Sequence, residues 1–388
     1  MAPAAQGGYR AVIGAGDEVG PPLEVRMRTR RTLSVATSVA ALVAGVGVSA
    51  PAASAAPPAP EVVQLGDSYS AGNGAGTYTD QTCWRSPDNY GARFAEQMGA
   101  TYDNVACSGA VVADILEPRP LGSSTTRTAT YELPGRAANV ERHWLRQAQR
   151  QQLCGTPAQD DWYFDYTVTD GTLIKGTGTN RALTATVECQ LTAAPQIDAV
   201  TKDTDAVFLT IGGNDVGFST IVLWCMAARN AAACQQSLDA ANARIPQLQT
   251  DIEEALAAVH ERSNGRADIH LLGYPFLLNT DSYGIPEAAP TYDAGAALAT
   301  FQDRGDGAMA EAMATLDSRL DGPGDLTFVD VKPAWGGHAH GLDPRSTPDN
   351  SGAWLVPVGA PGAQIPEWIH PTVEGYQASA DALLAVID

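Results

Sequence analysis

The chain holds 388 residues, with 44 acidic against 24 basic side chains and a formal net charge of −20. That balance excludes a nucleic-acid partner, which needs clustered Lys and Arg against its phosphates, and it reads as a solvated acidic surface. The length is enough for one good hydrophobic core, or one core with an appendage.

A targeting segment comes first. Arg28, Arg30 and Arg31 form a basic region, Leu33 to Ala50 is apolar and uncharged, and Ala53-Ser54-Ala55 supplies the small residues of a cleavage site. Met27 is the expected start, residues 1–26 an upstream extension, and the mature chain is expected to begin near Ala56. Thr29-Arg30-Arg31-Thr32-Leu33 loosely fits a twin-arginine signal, which leaves the export route open. A membrane-spanning helix is the competing reading. Against it, Ser34, Thr37, Ser38, Gly45 and Gly47 interrupt the run and Pro51 ends it. Residues 1–55 carry five Arg and three acids, which leaves −22 for the remainder. No second long apolar run follows, so no stable membrane span is expected. Six cysteines (Cys83, Cys107, Cys154, Cys189, Cys225 and Cys234) all lie beyond the cleavage site. An even count in an exported chain predicts three disulfides, and the lack of any C-x-x-C spacing argues against a zinc site.

The first element of the remaining chain is the apolar run Val62-Val63-Gln64-Leu65, which ends in Gly66-Asp67-Ser68. It predicts a short buried strand stopping at a tight turn with a serine at its tip. On these residues alone, Asp67-Ser68 reads better as a helix cap. A helix is expected over Pro87 to Met98 and a strand over Tyr102 to Ala106, leading into Cys107-Ser108-Gly109-Ala110. Asp205 to Ile211 predicts the next strand of this kind, ending in Gly212-Gly213-Asn214-Asp215. A helix is expected from Pro246, near its first turn, to Glu261. Strands follow at Asp268–Leu272 and Leu326–Val331, with helices at Leu298–Leu320 and Thr372–Ile387. This alternation predicts an α/β fold with a parallel sheet covered on both faces.

Residues 114–200 break the alternation. Trp162 to Ile174 reads as two strands around an Asp170-Gly171 turn, a strong hairpin signal, and Cys154 and Cys189 flank it. We read an inserted β-hairpin subdomain that one disulfide can close, within a domain spanning 56–388.

The predicted strand ends carry a chemical pattern. In a parallel sheet all carboxyl ends lie on one edge. There the Ser68 hydroxyl, its N–H, the Gly109 N–H and the Asn214 amide can converge as a nucleophile with oxyanion donors. The plain alternatives are a turn-forming Asn214 and an ordinary turn glycine at 109. What favours the chemical reading is that each follows a strand in the same topological position. The base must be a histidine. His143 and His260 sit in helical, charged neighbourhoods and are expected to be solvated, and His270 lies inside a strand. His338 and His340 occupy a Gly-rich loop with no third metal ligand in sight. His370, in Glu367-Trp368-Ile369-His370-Pro371-Thr372, precedes the last helix.

Taken together these blocks resemble the SGNH hydrolases, the GDSL-type esterases and lipases, and in particular their secreted actinobacterial lipase-like branch. Gly66-Asp67-Ser68 matches the first block, Gly109 the second, Gly212-Gly213-Asn214-Asp215 the third and His370-Pro371 the last. The resemblance implies a three-layer α/β/α flavodoxin-like fold with a five-stranded parallel sheet. It also implies Ser68 as nucleophile, His370 as base, and Ser68, Gly109 and Asn214 as oxyanion donors. Disulfides Cys83–Cys107 and Cys225–Cys234 are implied as well, with Cys154 and Cys189 as the third pair. The family often has Asp three residues before the histidine. Here Glu367 stands there, one methylene longer, and a main-chain carbonyl orients the base in some relatives. The spacing favours the carboxylate narrowly.

The expected function is a secreted serine esterase or lipase, acting through an acyl-enzyme on Ser68 with no cofactor and no metal. Its expected partner is an ester substrate, and a monomer is expected. The alternatives are a carbohydrate O-acyl esterase, and a non-catalytic secreted binding protein on the same fold.

Overall fold

The computed structural model describes residues 58–133, 140–175 and 181–387. The expected targeting segment lies outside them. Five short strands form a wholly parallel sheet: β1 (Glu61–Gln64), β2 (Thr101–Asn104), β7 (Ala206–Leu209), β8 (Asp268–Leu272) and β11 (Leu326–Val329). Their order is β11-β8-β7-β1-β2, so β1 is flanked by β7 and β2. The inner strands are buried on both faces. Val62, Val63, Val207, Phe208, Leu209, Ile269 and Leu271 are almost inaccessible, as their unbroken apolar runs require of a covered parallel sheet. Helix α2 (Tyr90–Met98) pairs with α7 (Val373–Leu384), and α5 (Ala231–Arg262) with α6 (Ala294–Arg319), forming the outer layers. Short strands β9 (Gly284–Ile285) and β10 (Tyr292–Asp293) lead into α6, which Asp293 caps at the Ala296 N–H. Among the described residues no helix is long and apolar enough to cross a membrane.

Two expectations are corrected. Helix α5 does not start at Pro246. It starts after Asn230, whose side chain accepts the Ala233 N–H at 3.0 Å, and it carries Pro246 inside. An internal proline removes one helical hydrogen bond. The buried face of Leu238, Ala241, Ile245, Leu248, Ile252 and Leu256 holds the helix across that gap. Nor does Asp170-Gly171 turn the chain. Strand β5 runs through it from Trp162 to Lys175, antiparallel to β6 (Arg181–Ala193), with an irregularity between Val168 and Asp170. Gly in a strand commonly marks a bulge, and pairing along the length of β6 outweighs the local turn preference.

Strand β6 also pairs with β3 (Arg119–Pro120) and β4 (Thr125–Leu133), making a second, antiparallel sheet. Its own small core gathers Leu133, Leu183, Ala185 and Val187 beneath Trp144 and Ala148 of α3 (Val140–Arg150). The Cys154–Cys189 disulfide ties this unit together. Cys83–Cys107 and Cys225–Cys234 are the other two, as the resemblance implies.

Candidate active site

Gly66 explains why β1 ends where it does. Its φ is +115°, and a Cβ there would lie 2.3 Å from the Thr210 carbonyl oxygen. Only glycine allows this turn beside the neighbouring strand. The chain then enters the four-residue helix α1 (Ser68–Ala71), and Asp67 caps it by accepting the Tyr69 N–H at 2.9 Å. The capping reading therefore holds for Asp67, and the Ser68 hydroxyl takes no part in the cap. The cap is itself buried. Asp67 Oδ2 accepts the Tyr274 hydroxyl and Oδ1 the Thr210 hydroxyl. Burial pushes the Asp67 carboxyl up to about 6 despite these donors.

Ser68 Oγ lies 2.7 Å from His370 Nε2. The other ring nitrogen, Nδ1, is 2.8 Å from the Trp368 main-chain carbonyl. A carbonyl can only accept, so Nδ1 carries the proton and the Nε2 lone pair faces the serine hydroxyl. Both residues are buried, at 8% and 9% exposure, and burial pushes the His370 imidazole down to about 4. The buried neutral ring is thus a base without a competing charge. The loop reaches this geometry through Ile369, at φ +63°, whose carbonyl accepts the Tyr69 hydroxyl at 2.6 Å. A β-branched residue at positive φ is strained, and such strain is held by its surroundings.

Glu367 is not part of this relay. Its carboxylate accepts the Tyr78 hydroxyl at 2.6 Å and the Gln364 N–H, and it bonds to neither ring nitrogen. The expected acid is replaced by a carbonyl one residue nearer the base. The extra methylene and the tight turn Ile365–Glu367 direct the carboxylate back into its own loop.

Strands β2, β1 and β7 are neighbours, so Gly109, Ser68 and Asn214, which follow their carboxyl ends, lie on one edge of the sheet. Neither the Ser68 nor the Gly109 N–H donates to a protein group among the described residues. Asn214 Nδ2 donates one hydrogen to the Ala110 carbonyl at 2.8 Å, which leaves its second hydrogen available. Asp215 accepts the Val112 N–H and so binds the loops after β2 and β7 together. A narrow apolar cavity of about 70 Å³ lies alongside, lined by Tyr69, Gly212, Phe218, Leu248, Phe301 and Met309 among others. Tyr69 and Phe218 also face the His370 ring, at centroid distances of 5.0 and 6.5 Å.

The other histidines lie elsewhere. His143 is half-buried on α3. His260 is not solvated as expected but buried at 6%, because the backbones of Gly265 and Gly322 close over its ring. His270 is buried in β8, and burial pushes its imidazole down to about 4. His338 stacks on Phe276 and His340 on Trp354. Their Nδ1 atoms bond separately to the Leu278 and Gly352 carbonyls. Residue types gave no signal for the Trp368 carbonyl, nor for Tyr78 and Tyr274, which hold Glu367 and Asp67.

A three-layer α/β fold with a serine–histidine pair at the carboxyl edge of a parallel sheet places the chain among the α/β hydrolytic architectures. Its family follows from the sequence: the GDSL-like lipase/acylhydrolase profile matches residues 62–383, and the chain belongs to that family. It is 26% identical to a lipase of Streptomyces rimosus over 257 residues, which are 65% of either chain. The crystal structure of an extracellular lipase from Streptomyces rimosus superposes with a TM-score of 0.54 at 23% identity, covering 84% of this chain and 99% of that one. A phospholipase A1 from Streptomyces albidoflavus gives 0.53 at 21% identity, with the same coverage. At these identities the structures bear on the fold.

Proposed function

We propose that the protein is an extracellular serine esterase of lipase type, cleaving carboxylic esters through an acyl-enzyme on Ser68. The observation that carries this is the Ser68 Oγ–His370 Nε2 bond at 2.7 Å, with Nδ1 committed to the Trp368 carbonyl. Ser68 Oγ attacks the acyl carbon while its proton passes to Nε2. The carbonyl electron pair moves onto oxygen, and the Ser68 N–H, Gly109 N–H and Asn214 amide stabilise that charge. Collapse breaks the bond to the alcohol oxygen, which leaves with the proton from the imidazolium. Water then repeats the sequence and releases the carboxylic acid. No step requires a cofactor.

The apolar cavity beside Tyr69 and Phe218 supports an aliphatic acyl chain over an acetylated carbohydrate, since it offers few polar groups for a sugar. Three disulfides support an oxidising, extracellular compartment. A fluorophosphonate probe tests the reading. Labelling is expected on Ser68 and absent in Ser68→Ala, which keeps its circular dichroism and loses roughly 10⁴-fold or more in rate. Unlabelled wild-type protein would turn the reading to a non-catalytic binding protein. A p-nitrophenyl ester series should favour acyl chains longer than acetate, and preferential turnover of acetylated xylan would turn it to the carbohydrate esterase.

A further inference from the structure

The second sheet is built into the loop that bears Gly109. Four consecutive carbonyls lead to that glycine, and two arginines take all four. Arg85 Nη2 donates to the Val105 carbonyl at 3.1 Å and Nε to the Ala106 carbonyl at 2.9 Å. Arg119 Nη1 donates to the Cys107 carbonyl at 3.4 Å and Nη2 to the Ser108 carbonyl at 2.9 Å. Both arginines are tied to the second sheet. Arg119 is a residue of β3, while Arg85 is paired with Asp161, one residue before β5, at 2.6 Å. Just after β6, the Gln196 side chain brackets Gly66, accepting its N–H at 2.6 Å and donating to its carbonyl at 3.0 Å.

The Ser108 carbonyl and the Gly109 N–H belong to one trans peptide, so they point in opposite directions. A guanidinium fixed on that oxygen therefore fixes the direction of the N–H. It also polarises the peptide, and a hydrogen-bonded carbonyl makes its own amide a better donor. The charge sits one peptide away from where an oxyanion forms, in a site where fixed dipoles count for more than in water. The contact is close: a Cβ on Gly109, at φ +77°, would lie 3.0 Å from Arg119 Nη2. Asp114 lies 3.6 Å from Arg119 Nε and accepts the Val111 N–H, so it braces the guanidinium from the far side of the same loop.

We propose that Arg119 is a positioning residue for ester hydrolysis, holding the Ser108–Gly109 peptide so that its N–H is aimed and strengthened as an oxyanion donor. This rests on the reading of Gly109 and Asn214 as oxyanion donors. The test is steady-state hydrolysis of a p-nitrophenyl ester by Arg119→Ala, Arg119→Lys and Asn214→Ala, with thermal melts as fold controls. Arg119→Ala should lose about 10–100-fold in kcat with KM within about twofold, less than the roughly 10²–10³-fold for deleting a donor outright. Guanidinium at non-denaturing concentration should restore part of that loss, a readout that a merely structural role would not move. Arg119→Lys, which keeps the charge but reaches one carbonyl, should fall between, and it stands in if the alanine variant fails to fold. A kcat within twofold of wild type in the folded variant, or a change confined to KM, would overturn the proposal. If Asn214→Ala still lowers kcat, only the role of Arg119 fails. If Asn214→Ala leaves kcat unchanged too, the oxyanion reading itself fails.

Discussion

Replacing Glu367 by Gln separates two ways of orienting the base. The carboxylate accepts from Tyr78 and from Gln364, whereas the imidazole proton goes to the Trp368 carbonyl at 2.8 Å. Glutamine keeps only one of the two acceptor oxygens, Oε1 for the Tyr78 hydroxyl and Oε2 for the Gln364 N–H, and it loses the charge. Hydrogen bonds to a charged partner contribute about 1.5–3 kcal/mol each and neutral ones about 1. One bond should therefore weaken by roughly 0.5–2 kcal/mol, and the donor left facing the amide NH2 should cost roughly 1–3 kcal/mol more, a fall of several degrees in Tm for a chain of this size. The base keeps its carbonyl, so kcat should fall by less than about tenfold, or ~1.4 kcal/mol in barrier. His370→Ala should cost roughly 10⁴-fold under the same conditions. Ester hydrolysis at saturating substrate, with melts on the same samples, reads both effects. In a double-mutant cycle Tyr78→Phe should couple to Glu367→Gln in stability and barely in kcat. Inactivation by Glu367→Gln as deep as that by His370→Ala would refute the reasoning and return the carboxylate to the relay.

Asn214→Ala should lower kcat by roughly 10²–10³ with little change in KM, and an effect confined to KM would move the residue to substrate binding. His370 must be neutral to act as base, and burial pushes it down to about 4. Activity should therefore persist as pH falls through the ordinary imidazole value of 6.5, with the acid limb of kcat/KM lying below it. A limb at or above that value would contradict the buried, neutral ring.

Ser68, Gly109 and Asn214 could be put on one edge because each follows a strand of a parallel sheet, whereas His370, which precedes the last helix, was singled out by the resemblance. The runs at 62–65 and 205–211 are short, mainly apolar and end at Gly66 and Gly212, as buried strands closed by a turn do. The residue that orients the imidazole was not legible, since a main-chain carbonyl leaves no mark in residue type, and Glu367 drew attention precisely because it is an acid. Asp170-Gly171 misled for a related reason: local turn preference says nothing of a partner strand long enough to override it. Pro246 likewise sits inside a helix because burial of the α5 face outweighs one missing hydrogen bond. Arg119 gave no local signal, as its partners are carbonyls of a loop that only the fold brings near.

The Cys83–Cys107 bond tethers the segment that leads into Gly109. Cys107 is two residues before Gly109, and the Cys83 carbonyl accepts the Ser108 N–H at 2.9 Å. A reduced chain lacks the covalent tether that holds this segment. Reduction is therefore expected to lower the rate at which Ser68 reacts with a fluorophosphonate probe. Refolding under reducing and oxidising conditions, followed by fluorophosphonate labelling, measures this directly. Equal labelling rates in the two samples would remove the dependence on oxidation.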